Sequence, residues 1–358
     1  MKNRWRNALG IALSVGFLAW TLHNVELRSV EEHLRKSNLL LFLATAVAGT
    51  LIFPLRARRW RTILDPVALH LPLGMLWRAT AIGMMVNNVV PARAGEVARA
   101  YALTRETRRI SFSAAFASLA VDRMFDAFVV LALMLLALLD PAFPRAMRIA
   151  GQPVTTWIGS GAVFLGAVAV VLYAIVFFPQ RAITLYEMFA RRVAPRFEQR
   201  GREVLLAFAS GLSVLRHPGR FAAVLGWTVA HWLLNAFAFW LGFKAVGITA
   251  PFSAALLLQG LIAIGVAAPS APGFFGIFEY LGQQGLRLYG VDPALATSWA
   301  IGFHILTFIP ITLIGIYYVG RLGLHLSELR QSPPADNGGE AAPAPTASLA
   351  SPRDEREG

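Results

Sequence analysis

Two long apolar stretches of this chain are broken in the middle by proline and glycine. That interruption limits what the chain can fold into more than any other feature. The stretches are LGMLWRATAIGMMVNNVVPARAGEVARAYAL (73–103) and FSAALLLQGLIAIGVAAPSAPGFFGIFEYLGQQGLRLY (252–289). Around them run six uninterrupted apolar segments, among them NLLLFLATAVAGTLIFPL, TWIGSGAVFLGAVAVVLYAIVFF and ALATSWAIGFHILTFIPITLIGIYYVG. Crossing the hydrocarbon takes roughly 20 helical residues. All six qualify, the first (ALGIALSVGFLAWTL) only just. No small-residue cleavage site follows that first segment, which reads as a retained span rather than a signal peptide. With 56% hydrophobic and 15% charged residues over 358 positions, the predicted fold class is an all-α polytopic membrane protein. It has about six full spans plus two broken elements.

The rest of the composition removes other chemistries. There is no cysteine, hence no disulfide, thiolate catalyst or cysteine-held zinc. The seven histidines form no i, i+4 pair, so neither a metal nor another cofactor is expected. His231 and His304 fall within spans, where the ordinary role is a hydrogen bond between helices. The net charge of +13 comes from thirty arginines and three lysines spread over loops between spans. Basic loops set topology and attract anionic lipid headgroups, so membrane lipids are the expected partners and nucleic acid is not.

Either broken stretch can cross once with a kink, or enter and return on one side. The positive-inside rule separates the two. If both re-enter, the cytoplasm receives Lys2, Arg4, Arg6, the Arg56–Arg61 group, Arg99, Arg105, Arg108, Arg109 and the eight arginines from Arg181 to Arg220. If both span, that last cluster moves outside. Re-entry is therefore predicted, with both termini cytoplasmic and residues 23–37 a short exterior loop. Span 38–55, broken element 73–103 and span 112–139 then form one repeat, about 38–139. Span 219–243, broken element 252–289 and span 293–319 form another, about 219–319, of opposite orientation. Inverted repeats with discontinuous helices place a substrate site near the bilayer midplane in transporters.

Span 156–178 joins the repeats. After it comes a basic connector, 180–217, with Val204, Leu205, Phe208, Leu212 and Leu215 on one helical face. That pattern suits a helix lying on the inner leaflet, or one packed on the bundle. Residues 1–330 are assigned to one membrane domain. Residues 331–358, rich in Pro, Ala and Gly, are expected to be a disordered cytoplasmic tail.

The breaks themselves carry the chemistry. In NNVVPARAGEVARA, Pro91 disfavours helix at the preceding residue. Asn87 and Asn88 are expected to close the incoming half-helix, and Gly95 to supply turn conformations before a new half-helix starts near Glu96. Irregular backbone at membrane depth is viable only inside protein or beside a wet cavity, which accounts for Asn88, Arg93, Glu96 and Arg99. The second break repeats the pattern: Pro269, Pro272, Gly273 and Gly276, then Glu279. Each resumed half-helix offers free N–H groups suited to a phosphate oxygen. The alternative role for Glu96 and Glu279 is to complement their own helix N-termini.

A third feature is VDRMFD, with Asp122, Arg123 and Asp126 in a span that starts near Ser111. At 1.5 Å per residue, Asp122 lies roughly 16 Å along it, about half the hydrocarbon thickness. Charges there face the interior, paired or wet. Arg123 and Asp126 are spaced for a local ion pair, and Arg93 or Arg99 is available to offset Asp122. Together the arginines offer cations to a phosphodiester and the carboxylates offer partners to an ammonium, features matched by a zwitterionic or cationic phospholipid headgroup.

NNVVPARAGEVARAYAL, SLAVDRMFD and APSAPGFFGIFEYLGQQGL resemble the signatures of the lysylphosphatidylglycerol synthase transmembrane, or flippase-like domain, family over about residues 5 to 325. That family includes the membrane half of the multiple peptide resistance factor and stand-alone relatives. The resemblance implies a polytopic protein of the bacterial inner membrane that moves a phospholipid or other amphiphilic lipid between leaflets. Its Pro…Gly-Glu…Arg pattern falls on Pro91, Gly95, Glu96 and Arg99. Its acidic-Arg pair falls on Asp122 and Arg123, where the family often has glutamate before the arginine. Its Pro-Gly…Gly…Glu pattern falls on Pro272, Gly273, Gly276 and Glu279. Nothing after residue 330 resembles a soluble aminoacyltransferase domain, so lipid lysylation by these residues, and enzymatic activity generally, is not expected. Two other readings stay open. One is a lipid-modifying enzyme such as a glycosyltransferase using Glu26, Glu31 and Glu32. The other is a non-transporting partner of a lipid-synthesis enzyme, docked through 180–217. A homo-oligomer is likewise left open.

Overall fold

The computed structural model describes residues 2–23, 25–90, 94–144, 148–149, 152–193, 198–199, 202, 217–266 and 272–324. Pro91, Arg93, Pro269, the apolar face from Val204 to Leu215 and the 331–358 tail lie outside the described residues. Those that are described are almost entirely helical, apart from a two-residue strand pair at Arg148–Ile149 and Gln152–Pro153. The helices are α1 (Lys2–His23), α2 (Leu27–Lys36), α3 (Leu39–Leu64), α4 (Leu73–Val89), α5 (Gly95–Glu106), α6 (Phe112–Leu138), α7 (Val154–Phe177), α8 (Pro179–Val193), α9 (Pro218–Val246), α10 (Phe252–Gly265), α11 (Ile277–Arg287) and α12 (Pro293–Arg321).

Three of them, α3, α9 and α12, are long and apolar enough to cross a membrane by themselves. Helix α6 has the length, at 27 residues, but carries three charges in its middle. Leu39, Leu40, Val47, Val163, Val170, Leu313 and Tyr317 are among the many large apolar side chains left exposed. In water such a surface would aggregate; in hydrocarbon it is the expected exterior. The protein is a multi-pass membrane protein.

Both broken elements are antiparallel helical hairpins. In the first, Arg78 near the start of α4 forms an ion pair with Glu106 at the end of α5. Closer to the turn, Gly83 packs on the backbone of Gly95 and the side chain of Arg99. In the second, Gly285 of α11 meets Leu258 of α10, and Gly265 meets Leu281. A kinked single span would separate these residue pairs; a hairpin brings them together.

Helix α3 continues nine residues past the apolar segment that ends at residue 55, to Leu64. Residues 27–36, expected to be a loop, form the helix α2 instead. Ion pairs at i, i+4 spacing support it: Arg28–Glu32, Glu31–Arg35 and Glu32–Lys36. Past Phe178 the chain turns by 113° into α8, which exposes Leu185, Met188 and Phe189 along one side.

Two buried clusters lie mainly one in each triplet. Trp60, Leu64, Ile82, Met85, Leu103 and Leu119 hold α3, α4, α5 and α6 together. Phe239, Phe243, Phe278, Trp299 and Phe303 do the same for α9, α11 and α12. The triplets then join crosswise: α3 lies on α9, α4 packs against α12, and α10 packs against α6. Small residues allow these approaches, as membrane helix packing requires. A Cβ on Gly315 of α12 would sit 2.3 Å from Met85 Cβ in α4.

Candidate functional site: an arginine-lined chamber between two helix breaks

The first break is set by side chains that act on the outgoing half-helix. Asn87 Oδ1 accepts a hydrogen bond from the Gly95 backbone N–H at 2.8 Å, satisfying one of the donors that a helix N-terminus leaves free. Asn88 Nδ2 donates to Thr312 Oγ1 on α12 at 2.7 Å. Neither asparagine closes α4, as the sequence had suggested; one caps α5 and the other ties the hairpin to the second triplet. Gly95 also has a different reason to be glycine. It has no positive φ, but a Cβ there would fall 2.2 Å from Gly83 O and 2.4 Å from Asn87 Cγ. Close approach of the two half-helices, rather than turn geometry, demands the missing side chain.

The second break does use backbone freedom. Gly273, Phe274 and Gly276 have φ of 68°, 63° and 89°, a left-handed run that a bulky residue such as Phe274 enters only under tertiary constraint. Gly276 also abuts the backbone of Ser14 in α1. Glu279 turns back on its own helix start: Oε2 accepts from the Gly276 N–H at 2.6 Å. Its Oε1 lies 2.6 Å from His304 Nδ1, while His304 Nε2 lies 2.8 Å from the Gly273 carbonyl. His304 thus ties α12 to both sides of the break, the interhelical role its position suggested.

At mid-helix on α6, Asp122 and Asp126 receive four arginines. Arg59 on α3, fully buried, reaches both: Nη2 lies 2.6 Å from Asp122 Oδ1, and Nη1 lies 2.6 Å from Asp126 Oδ1. Arg99 approaches Asp122 at 3.4 Å and stacks over the Trp60 ring at 4.1 Å. Arg123 pairs with Asp126 at 3.2 Å and with Glu96 at 3.1 Å. Arg56 stands 4.0 Å from Asp126. Trp232 Nε1 donates to Asp126 Oδ1 at 2.9 Å, and His231 Nδ1 lies 3.8 Å from the same oxygen. An isolated charge at this depth costs several kcal/mol; the network offsets that cost by neutralising charge locally.

A chamber of about 250 Å³ lies beside this network. Its walls hold Arg56, Asn88, Arg123, Asp126, His231 and Trp232, together with Gly273, Phe278, His304 and Thr307. The first break contributes Asn88 and the second contributes Gly273 and Phe274, so both open onto one space. A larger cavity, about 560 Å³, lies between α6, α7 and α9. Its walls, including Phe125, Tyr173 and Phe221, give it room for hydrocarbon but no means of recognising a polar group.

Of the residues singled out from the sequence, Asn88, Arg123, Asp126 and Gly273 line the chamber. Asp122, Arg99 and Glu96 stand behind it in the ion-pair network. Gly95, Pro272 and Gly276 shape the breaks, and Pro91 and Arg93 are outside the described residues. Glu279 does not join the other carboxylates: it is occupied by Gly276 and His304.

The positive-inside count places Arg56 and Arg59 among the cytoplasmic charges. Both lie within α3 and are buried, with Arg59 inaccessible and Arg56 8% exposed. The signal for them was present. Arg56, Arg59, Trp60 and Ile63 follow the i, i+3, i+4, i+7 spacing of one helix face, so an inward-facing stripe continued through what looked like a basic loop.

A glycosyltransferase of Haloferax volcanii, AglD, is 32% identical over 158 residues, which is 44% of this chain but only 25% of that protein. A UPF0104 membrane protein of Methanothermobacter thermautotrophicus is 23% identical over 90% of this chain and 97% of its own length. Another UPF0104 membrane protein, from Pyrococcus horikoshii, is 25% identical over 72% of this chain and 80% of its own length. Residues 7–315 match the lysylphosphatidylglycerol synthase TM region, and the chain belongs to that family.

Proposed function

We propose that this protein moves a phospholipid or another amphiphilic lipid between the leaflets of a cytoplasmic membrane, with both termini on the inner side. The observation that carries this reading is the meeting of two broken hairpins at one chamber whose walls are part charged and part aromatic. A headgroup needs the first kind of wall, and the upper part of an acyl chain tolerates the second. The triplets act as inverted repeats in this reading, and their exchange of contacts supports it. Each hairpin packs on the last helix of the opposite triplet, while the two leading helices pack on each other. Rocking of one triplet against the other would expose the chamber to each leaflet in turn.

The test is reconstitution. In liposomes carrying fluorescent lipid in both leaflets, an impermeant quencher bleaches only the outer leaflet unless the protein exchanges lipid. Purified protein is expected to carry bleaching past that plateau, and Glu96→Gln to slow it without loss of fold. A plateau equal to that of protein-free liposomes, across phosphatidylglycerol, phosphatidylethanolamine and phosphatidylcholine, removes the proposal.

A second reading draws on the relative named as a glycosyltransferase: the membrane region would support a lipid-modifying reaction. Lipid profiling of a deletion strain separates the two. A missing lipid species favours modification; an unchanged inventory with altered leaflet distribution favours movement.

A further inference from the structure

We infer that the chamber takes an anionic lipid headgroup, and that Arg56 is the residue that binds it. The inference rests on the translocation reading for its lipid, but its charge argument stands on the geometry alone. Each carboxylate near the chamber is already occupied. Asp122 is held by Arg59 and Arg99. Asp126 is held by Arg59, Arg123 and the Trp232 indole. Glu96 is held by Arg123, and Glu279 by His304 and the Gly276 N–H. None of these four carboxylates is left unpaired to receive an ammonium group.

The arginines have donors to spare. Four of them, Arg56, Arg59, Arg99 and Arg123, face three carboxylates, Glu96, Asp122 and Asp126. The network therefore carries one excess positive charge among the described residues, and Arg56 is where it falls. Its nearest carboxylate oxygen is 4.0 Å away, beyond hydrogen-bond reach. Its Nη1 rests on the Met84 sulfur at 3.7 Å, and its Nε and Nη2 have no hydrogen-bond partner. Arg56 as a residue is only 8% exposed, with its Nε and Nη2 fully buried, and it lines the chamber.

A buried cation with no hydrogen-bonded carboxylate, its nearest one 4.0 Å away, is costly, and charge at this depth marks a functional position. A fork of two free N–H donors fits a phosphate or carboxylate oxygen pair. The rest of the wall argues for a lipid rather than a free anion. Phe53, Phe239, Phe278, Phe303 and Phe308 surround the space, and an apolar surround suits a headgroup that brings hydrocarbon with it. A headgroup with a net positive charge would meet the excess arginine and no free carboxylate.

The experiment is lipid competition read by native mass spectrometry. Full-length protein in mild detergent is offered an equimolar mixture of phosphatidylglycerol, phosphatidylcholine and a trimethylammonium-propane lipid, all with the same acyl chains. The expected result is retention of phosphatidylglycerol at least tenfold over the cationic lipid. Arg56→Gln should abolish that preference, Arg56→Lys should keep part of it, and Arg220→Gln, at the start of α9, should leave it intact. Equal retention of the cationic lipid, or an unchanged preference in Arg56→Gln, overturns the inference. So does release of phosphatidylglycerol by inorganic phosphate alone, which would assign the site to a free anion. Anionic retention without any exchange in liposomes supports the headgroup assignment while removing the translocation reading. Exchange of the cationic lipid as fast as the anionic one does the opposite.

Discussion

The two helix breaks share a plan and differ in substance. Each is a hairpin whose second half-helix opens with a glutamate in its first turn, Glu96 in one and Glu279 in the other. Glu279 bends back to its own N-terminus and to His304, and its surroundings are aromatic: Phe278 and Phe275 both lie within 4.5 Å of the His304 ring by centroid. Glu96 instead reaches across to Arg123 on α6 and joins a network of four arginines. One break is locked by its own cap, and the other is held by charges from neighbouring helices. We propose that the two breaks divide the work, the first contributing polar recognition and the second a rigid turn among aromatic rings.

The largest effect that separates the two should come from Arg59→Ala. It would leave Asp122 and Asp126 buried with too few cations, a loss of about 3–5 kcal/mol. Reversible unfolding in mixed micelles would measure it. A loss under 1 kcal/mol would mean that the ion pairs around the first break do not hold it. Next is Gly95→Ala, which forces Cβ into the Gly83 carbonyl and the Asn87 side chain. Overpacking of this kind costs about 1–3 kcal/mol, and a near-neutral result in the same measurement would show that α4 and α5 separate easily.

Glu279→Gln keeps an acceptor for the Gly276 N–H but loses the charge beside His304, for an expected loss of about 1–2 kcal/mol. Glu96→Gln should cost less than about 1 kcal/mol in stability, because its side chain and that of Arg123 are 22% and 37% exposed. Its effect on lipid exchange should nevertheless exceed that of Glu279→Gln. The reverse order in the exchange assay would break the division of work drawn above.

Much of this is legible in the sequence alone. Proline and glycine spacing located both interruptions, since few residue types tolerate a turn at that depth. Three acid and arginine positions in VDRMFD marked the interior face of α6, because hydrocarbon leaves them no alternative. What was hidden depended on partners distant in sequence. The reach of α3 past residue 55 could not be seen through the arginines that end it, because loop charge and buried charge look alike in a string of letters. The fate of Glu279 turned on His304, 25 residues away. At Gly95 the expected turn geometry is replaced by close packing of two half-helices, which leaves no local sequence mark.

The chain has no cysteine, which permits a direct test of the chamber itself. Thr307 lines it, while Leu313, six residues on along the same helix, is 60% exposed to the surroundings. Thr307→Cys and Leu313→Cys proteins would be reconstituted, and lipid exchange measured before and after reaction with a bulky maleimide. Modification at Thr307 should stop exchange, and modification at Leu313 should leave it near the unmodified rate. Exchange that continues unchanged with Thr307→Cys fully modified would contradict passage through the space between the two breaks.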